Sequence, residues 1–205
     1  MNPNWAEENL QTIRTLMERS ALYRRALAPI MLAAGLLGVV AATVGIIFDL
    51  NNLLEFETLW LSTAVLAVAG AFFIARRQAM KDKEPFWSPP TRRVTQALLP
   101  PLLAGLTISL FPLTKGFSSI PMIIVIIWIL CYGVALHSAA FFMPRGIKFL
   151  GWLFIGGACV ILYSYSPGAF DANLRAYWLM GFFFGVLHLA FGVYLYVTEK
   201  RKTAA

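Results

Sequence analysis

Two histidines are the residues of this chain whose side chains could bind a metal ion within an apolar environment. His137 and His188 each lie inside a long apolar run. One histidine on each of two helices is an arrangement that can ligate haem iron in a bundle. Each lies at a different distance from the end of its predicted span, about five and about ten residues, so their depths differ by roughly 7 Å at 1.5 Å per residue. Opposed axial ligands need more nearly equal depth, which makes haem the weaker interpretation.

Glycines around His188 favour a packing role instead. Gly181, Gly185 and Gly192 fall on one helix face with this histidine. Such a face lets helices approach closely, and a histidine on it can hydrogen-bond across the contact. We therefore favour structural histidines, with a polar substrate contact or a haem or metal site as alternatives. The same pattern of small residues, typical of internal packing and only sometimes of homodimer faces, recurs in the first apolar run at Ala34, Gly38, Ala42 and Gly45.

Acidic residues cluster in one short segment after the first apolar run. Asp49, Glu55 and Glu57 lie there, and Asp171 could face them from a later loop. A weak cation site is conceivable, but no calcium-loop spacing is present, so we expect solvated loop acids. The sequence also lacks GxSxG, HExxH, P-loop and GxGxxG motifs. It predicts no catalytic residue, no metal site and no cofactor.

The composition predicts that lipid is the solvent for most of the chain. Of its 205 residues, 59% are hydrophobic and 13% are charged, with a mean hydropathy of +0.70. Soluble domains carry about 25% charged residues. The net charge of +7 lies in short pieces between apolar runs that are too long for a soluble core, which argues against nucleic-acid binding. Cys131 and Cys159 lie inside apolar runs, where they are expected to pack as small residues.

Six runs are long enough to cross a hydrocarbon layer of roughly 30 Å, which takes about 20 residues. The expected fold is an all-α bundle of about six transmembrane helices, with five spans as the alternative. None of the six has Asp, Glu, Lys or Arg well inside it, which argues against a proton pump or a carrier that uses buried carboxylates. Pro100 and Pro101 should kink the third helix. The predicted spans are 28–48, 58–75, 94–113, 119–142, 148–165 and 176–198.

Basic residues predict the orientation of these spans. Of the 17 Lys and Arg residues, all but Lys115 and Arg175 fall on one side of the predicted membrane. Cytoplasmic loops carry the excess of Lys and Arg, so both termini, including the tail 199–205, are expected to be cytoplasmic. A lipid-headgroup or partner site is the alternative role for the basic loop "RRQAMKDKEPFWSPPTRR". Its six topology anchors are Arg76, Arg77, Lys81, Lys83, Arg92 and Arg93.

The first 27 residues predict an amphipathic cytoplasmic helix. Asn4 can cap it while Glu7 reaches back from the third position. Apolar residues then recur at three- and four-residue spacing. We expect this helix to lie on the membrane surface, with docking to a partner subunit or to a second copy as the alternative.

Two stretches carry a resemblance to known proteins. "LQTIRTLMERSALYRR" ahead of a Gly/Ala-rich span, followed by "WILCYGVALHSAAFFMPRGIKFLGWLF", resembles a group of small polytopic bacterial inner-membrane proteins. The resemblance implies a bacterial cytoplasmic membrane and brings no catalytic residues with it.

Taken together, these features favour a non-enzymatic subunit or regulator of an inner-membrane assembly, with the lipid bilayer and a membrane protein or a second copy as partners. One alternative is a channel or carrier for a small neutral solute. A second is a haem-binding redox protein. The features that favour the subunit or regulator are the absence of charged residues inside the predicted spans, the small-residue faces and the basic cytoplasmic side.

Overall fold

A computed structural model of the chain describes residues 26–83, 85–116, 122–143, 145–164 and 172–203. The predicted N-terminal helix and Asp171 lie outside these residues. Within them the secondary structure is helical, which confirms the all-α bundle. The helices are α1 (Ala26–Ile47), α2 (Leu53–Lys81), α3 (Pro89–Thr114), α4 (Met122–Ala139), α5 (Arg145–Ser164), α6 (Ala172–Met180) and α7 (Leu187–Thr203).

A π-helical turn, Gly181–Val186, joins α6 to α7, so these three elements form one rod that we call the last span. Six helical segments of the described chain are long and apolar enough to cross a membrane, in agreement with the six predicted spans. The second differs most, since its helix begins at Leu53 and ends at Lys81. The third continues through Pro100 and Pro101 as one helix. The last continues beyond the predicted span to Thr203.

A capping box fixes the early start of α2. The backbone N–H of Glu55 donates to the Asn52 side chain at 2.9 Å, and the N–H of Asn52 donates to the Glu55 carboxylate at 3.5 Å. This reciprocal pair satisfies donors that a helix start otherwise leaves free. At the start of α3, two prolines occupy the first positions, where a missing N–H costs nothing.

The core of the bundle lies around α4, which packs against α3 and α5 and also touches α6. Half of the residues in the apolar 18-residue stretch of α4 are buried, against 6% in that of α2. Gly133 and Gly151 allow the close contact between α4 and α5. A Cβ added at Gly151 would lie 2.8 Å from the backbone nitrogen of His137. Cys131 of α4 packs beside Gly105, whereas Cys159 is exposed and so does not pack in the core as predicted.

Candidate functional site

His188 is the most fully engaged polar side chain of the core. It lies at the start of α7, directly after the π-helical turn, and only 2% of it is exposed. Its Nε2 atom is 2.7 Å from the hydroxyl of Tyr132 on α4. Its Nδ1 atom is 3.0 Å from the backbone oxygen of Phe183. Both ring nitrogens therefore have partners.

These partners define the tautomer of the neutral ring. A backbone carbonyl can only accept, so Nδ1 donates its hydrogen to Phe183. Nε2 then accepts from the Tyr132 hydroxyl. A metal ion could bind Nε2 of His188 only by displacing Tyr132. The arrangement is that of a buried hydrogen bond between two helices.

The π-helical turn supplies the other walls of this site. The N–H of Leu187 donates to the Phe182 carbonyl, five residues earlier, which marks the wider turn. The turn brings Phe183 and Phe184 against the α5 residue Phe154, at ring-centroid distances of 5.2 and 5.5 Å. Tyr132 lies 5.0 Å from Phe184. Aromatic rings thus surround the buried His188 and pack on the half-buried Tyr132. Turns of this kind occur frequently at functional sites.

His137 does not join His188. Its ring packs edge-on against Trp152 at 5.0 Å and against Phe141 at 6.2 Å, and its Nδ1 atom has no hydrogen-bond partner among the residues described. Tyr132, which does face His188, precedes His137 on α4 by about 7.5 Å at 1.5 Å per residue. This separation is close to the depth difference that the sequence predicts for the two histidines. The structure therefore does not bring them together as a pair of opposed ligands.

The two predicted small-residue faces pack on each other. A Cβ added at Gly185 would lie 2.9 Å from the backbone nitrogen of Val39, and one added at Gly181 would lie 2.6 Å from Cβ of Ala42. Gly192 meets Leu32 in the same way. Since positions rise along α1 as they fall along the last span, the two rods are antiparallel. His188 lies at the edge of this face, and its side chain contacts Tyr132 of α4.

Glu57 corrects an expectation from the sequence. It was predicted to be a solvated loop acid, but it lies in the second turn of α2 and is 1% exposed. Both carboxylate oxygens lack a hydrogen-bond partner within the described chain. Of the other acids in this segment, Asp49 and Glu55 are exposed.

Trp60, one turn further along α2, is a second buried side chain whose polar atom has no hydrogen-bond partner in the described chain. It is 7% exposed, and its Nε1 donor also lacks a partner among described residues. Its ring lies 6.3 Å from those of Phe56 and Phe184, so it extends the aromatic cluster around His188 towards the start of α2. The predicted second span begins at residue 58, so it includes Trp60 but leaves Glu57 in the preceding loop and does not pair the two. The signal that could have found the pair is the Asn52 and Glu55 cap spacing.

Comparisons with protein-family models, with curated proteins and with solved structures give no match to this chain. The class of the protein is therefore defined by its own fold. The six apolar helices make it a multi-pass α-helical membrane protein. Among the described residues, its interior includes a hydrogen-bonded pair, Tyr132 with His188, and buried polar side chains without a partner, among them Glu57 and Trp60.

Proposed function

We propose that this chain is a non-enzymatic subunit or regulator of a larger assembly in the cytoplasmic membrane of a bacterium. The observation that carries the proposal is the weak packing of α2. This helix is buried at its first turns, and from position 61 to position 78 none of its residues is buried. It therefore presents most of its length to lipid or to another protein.

Gly70, in the middle of that stretch, favours a protein over lipid. A Cβ added there would meet no heavy atom within 4 Å. Glycine costs about 1 kcal/mol relative to alanine inside a helix, and here no contact within the described chain offsets that cost. Small residues in membrane helices allow a second helix to approach closely. A transmembrane helix of a partner, packed along α2, would account for this glycine.

The bare surface of α2 also explains how the protein can act without a catalytic group. A subunit or regulator works by binding through a helix face, with its own core holding that face in place. Here the core is closed by aromatic rings and by the Tyr132 and His188 hydrogen bond. The basic segment 76–93, which covers the end of α2, the connecting loop and the start of α3, is proposed to hold the cytoplasmic end of this face at the membrane surface.

Site-specific photocrosslinking in native membranes tests the proposal. A photoreactive residue replaces Gly70, and the same residue at Tyr163 of α5, which is 94% exposed, is the exposed control. We expect one protein adduct of discrete mass from position 70 and none from position 163. Co-expression of two differently tagged copies then separates a homo-oligomer from a distinct partner. Lipid adducts alone at both positions would contradict the subunit proposal.

A further inference from the structure

Glu57 and Trp60 have complementary and unmet hydrogen-bonding requirements. A carboxylate accepts only, and an indole N–H donates only. Both groups are more than nine-tenths buried, and neither has a partner among the residues described. A buried polar group without a hydrogen bond costs free energy. The α2 helix therefore carries one group that lacks hydrogen-bond donors and one that lacks an acceptor. Both lie on the same face, since residues three apart share a face.

The ligand that meets both demands has a cationic donor beside an acceptor oxygen. Glu57 and Trp60 are separated by three residues, or about 4.5 Å along the helix axis. A primary ammonium group offers three N–H donors, enough for both carboxylate oxygens. A metal ion is a poorer fit, because the described residues contain no group of three or more His, Cys, Asp and Glu side chains that could hold one.

The depth of the pair corresponds to lipid headgroups. Counting back about 20 residues from Arg76, the span that a hydrocarbon layer requires, places Glu57 at the boundary of that layer. Trp60 lies one turn deeper. In an ethanolamine phospholipid the ammonium group lies on the water side of the phosphate. The ammonium group would therefore lie at the level of Glu57 and the phosphate at the deeper level of Trp60. This order holds whichever side of the membrane α2 starts from.

Exposed side chains flank Glu57 on the helix. Leu54, one turn before Glu57, is 64% exposed, and Thr58, the next residue after Glu57, is also exposed. A lipid packed against these two side chains would have its headgroup beside the carboxylate. Because both Glu57 oxygens are buried in the structure, binding requires this side chain to change rotamer towards Leu54 and Thr58.

We propose that Glu57 and Trp60 form a binding site for a primary ammonium group with an adjacent acceptor oxygen, as in ethanolamine phosphate. The ammonium group binds the Glu57 carboxylate, and the acceptor oxygen receives the Nε1 hydrogen of Trp60. The ligand is either the headgroup of a membrane lipid or a free phosphorylated amino alcohol. This site is separate from the surface around Gly70, so it does not depend on the proposed function.

The first test varies the ligand and keeps the whole wild-type chain. Native mass spectrometry counts lipids retained from mixtures of phosphatidylethanolamine and phosphatidylcholine with identical acyl chains. Methylation of the headgroup keeps its charge and removes its N–H donors. We expect at least about tenfold preference for the ethanolamine lipid, since a factor of ten corresponds to the loss of a single charge-assisted hydrogen bond. Equal retention of the two lipids would overturn the proposal.

The second test varies the protein and locates the site. Glu57→Gln is expected to abolish the preference, and Trp60→Phe, which keeps the apolar ring, to reduce it severalfold. Glu55→Gln is the matched control, because it removes an exposed carboxylate from the same turn while glutamine retains the cap. A preference that persists in Glu57→Gln, or that is lost equally in Glu55→Gln, would refute the assignment. Competition by free phosphoethanolamine at micromolar concentration would identify a soluble ligand, and its absence a lipid.

Discussion

The hydrogen bond between Tyr132 and His188 joins α4 to the last span, with His188 buried and Tyr132 half-buried. Its 2.7 Å length and the second bond from Nδ1 to Phe183 leave the imidazole satisfied on both sides. Hydrogen bonds between membrane helices contribute about 0.6 kcal/mol on average and up to about 1.7 kcal/mol. Because rings of α5 and of the π-helical turn surround this one, we place it in the upper part of that range.

Replacing Tyr132 with phenylalanine tests that assignment. The substitution keeps the ring contacts and leaves Nε2 of His188 without its donor, so we expect a loss of about 1 to 2 kcal/mol in the free energy of unfolding. Denaturant titration of the detergent-solubilised protein, followed by circular dichroism, measures it. Tyr163→Phe removes a hydroxyl from a residue that is 94% exposed and is expected to change nothing. Equal losses in both variants would show that the Tyr132 hydroxyl has no special role.

Much of this residue-scale arrangement could not be predicted from the sequence. The pattern showed that His188 belongs to a packing face, but its partner depends on the π-helical turn at Gly181–Val186, which shifts the register by one residue. Hydropathy alone gives no signal for such a turn. Glu57 was misassigned for a different reason. Its polar neighbours lowered the local hydropathy, although the cap spacing of Asn52 and Glu55 already indicated an earlier helix start.

At the scale of elements, the packing of α1 on the last span depends on backbone contact. The faces were predictable because small residues recur at three- and four-residue spacing, whereas their mutual pairing was not, since either could have faced another copy. In the structure, backbone atoms of the two rods meet at Gly38 and Gly185. Such contacts leave no room for a side chain.

Gly185→Ala is therefore expected to be strongly destabilising. Its added Cβ would lie 2.9 Å from the Val39 nitrogen, a backbone atom that cannot turn away. Overpacking of this kind costs about 1 to 3 kcal/mol. Gly70→Ala, an identical change at an open position, is expected to be neutral or to stabilise by up to about 1 kcal/mol through helix propensity. Thermal unfolding of both variants measures the difference, and similar midpoints would contradict the packing account.

At the scale of the whole molecule, burial is distributed unevenly among the spans. The apolar window of α4 is half buried, those of α1 and the last span are one-third buried, and that of α2 is 6% buried. A lipid-exposed helix is not unstable, because lipid tails are as apolar as its side chains. Its position then depends on its two ends, the buried turns from Leu53 to Trp60 and the basic segment 76–93, which runs from the last turns of α2 to the first turns of α3.

That basic loop leads to a prediction of orientation. In a chain carrying Cys131→Ala and Cys159→Ala, Pro85→Cys and Asn51→Cys place single thiols at exposed positions in the loops on either end of α2. An impermeant maleimide applied to intact cells is expected to label position 51, and to label position 85 only after permeabilisation, because basic loops remain cytoplasmic. Replacing Arg76, Arg77, Arg92 and Arg93 with glutamine removes about 4 kcal/mol of attraction to the anionic leaflet, at about 1 kcal/mol per residue. This variant should therefore give mixed labelling, and unchanged labelling would mean that the packing of the bundle, rather than the basic loop, fixes the orientation.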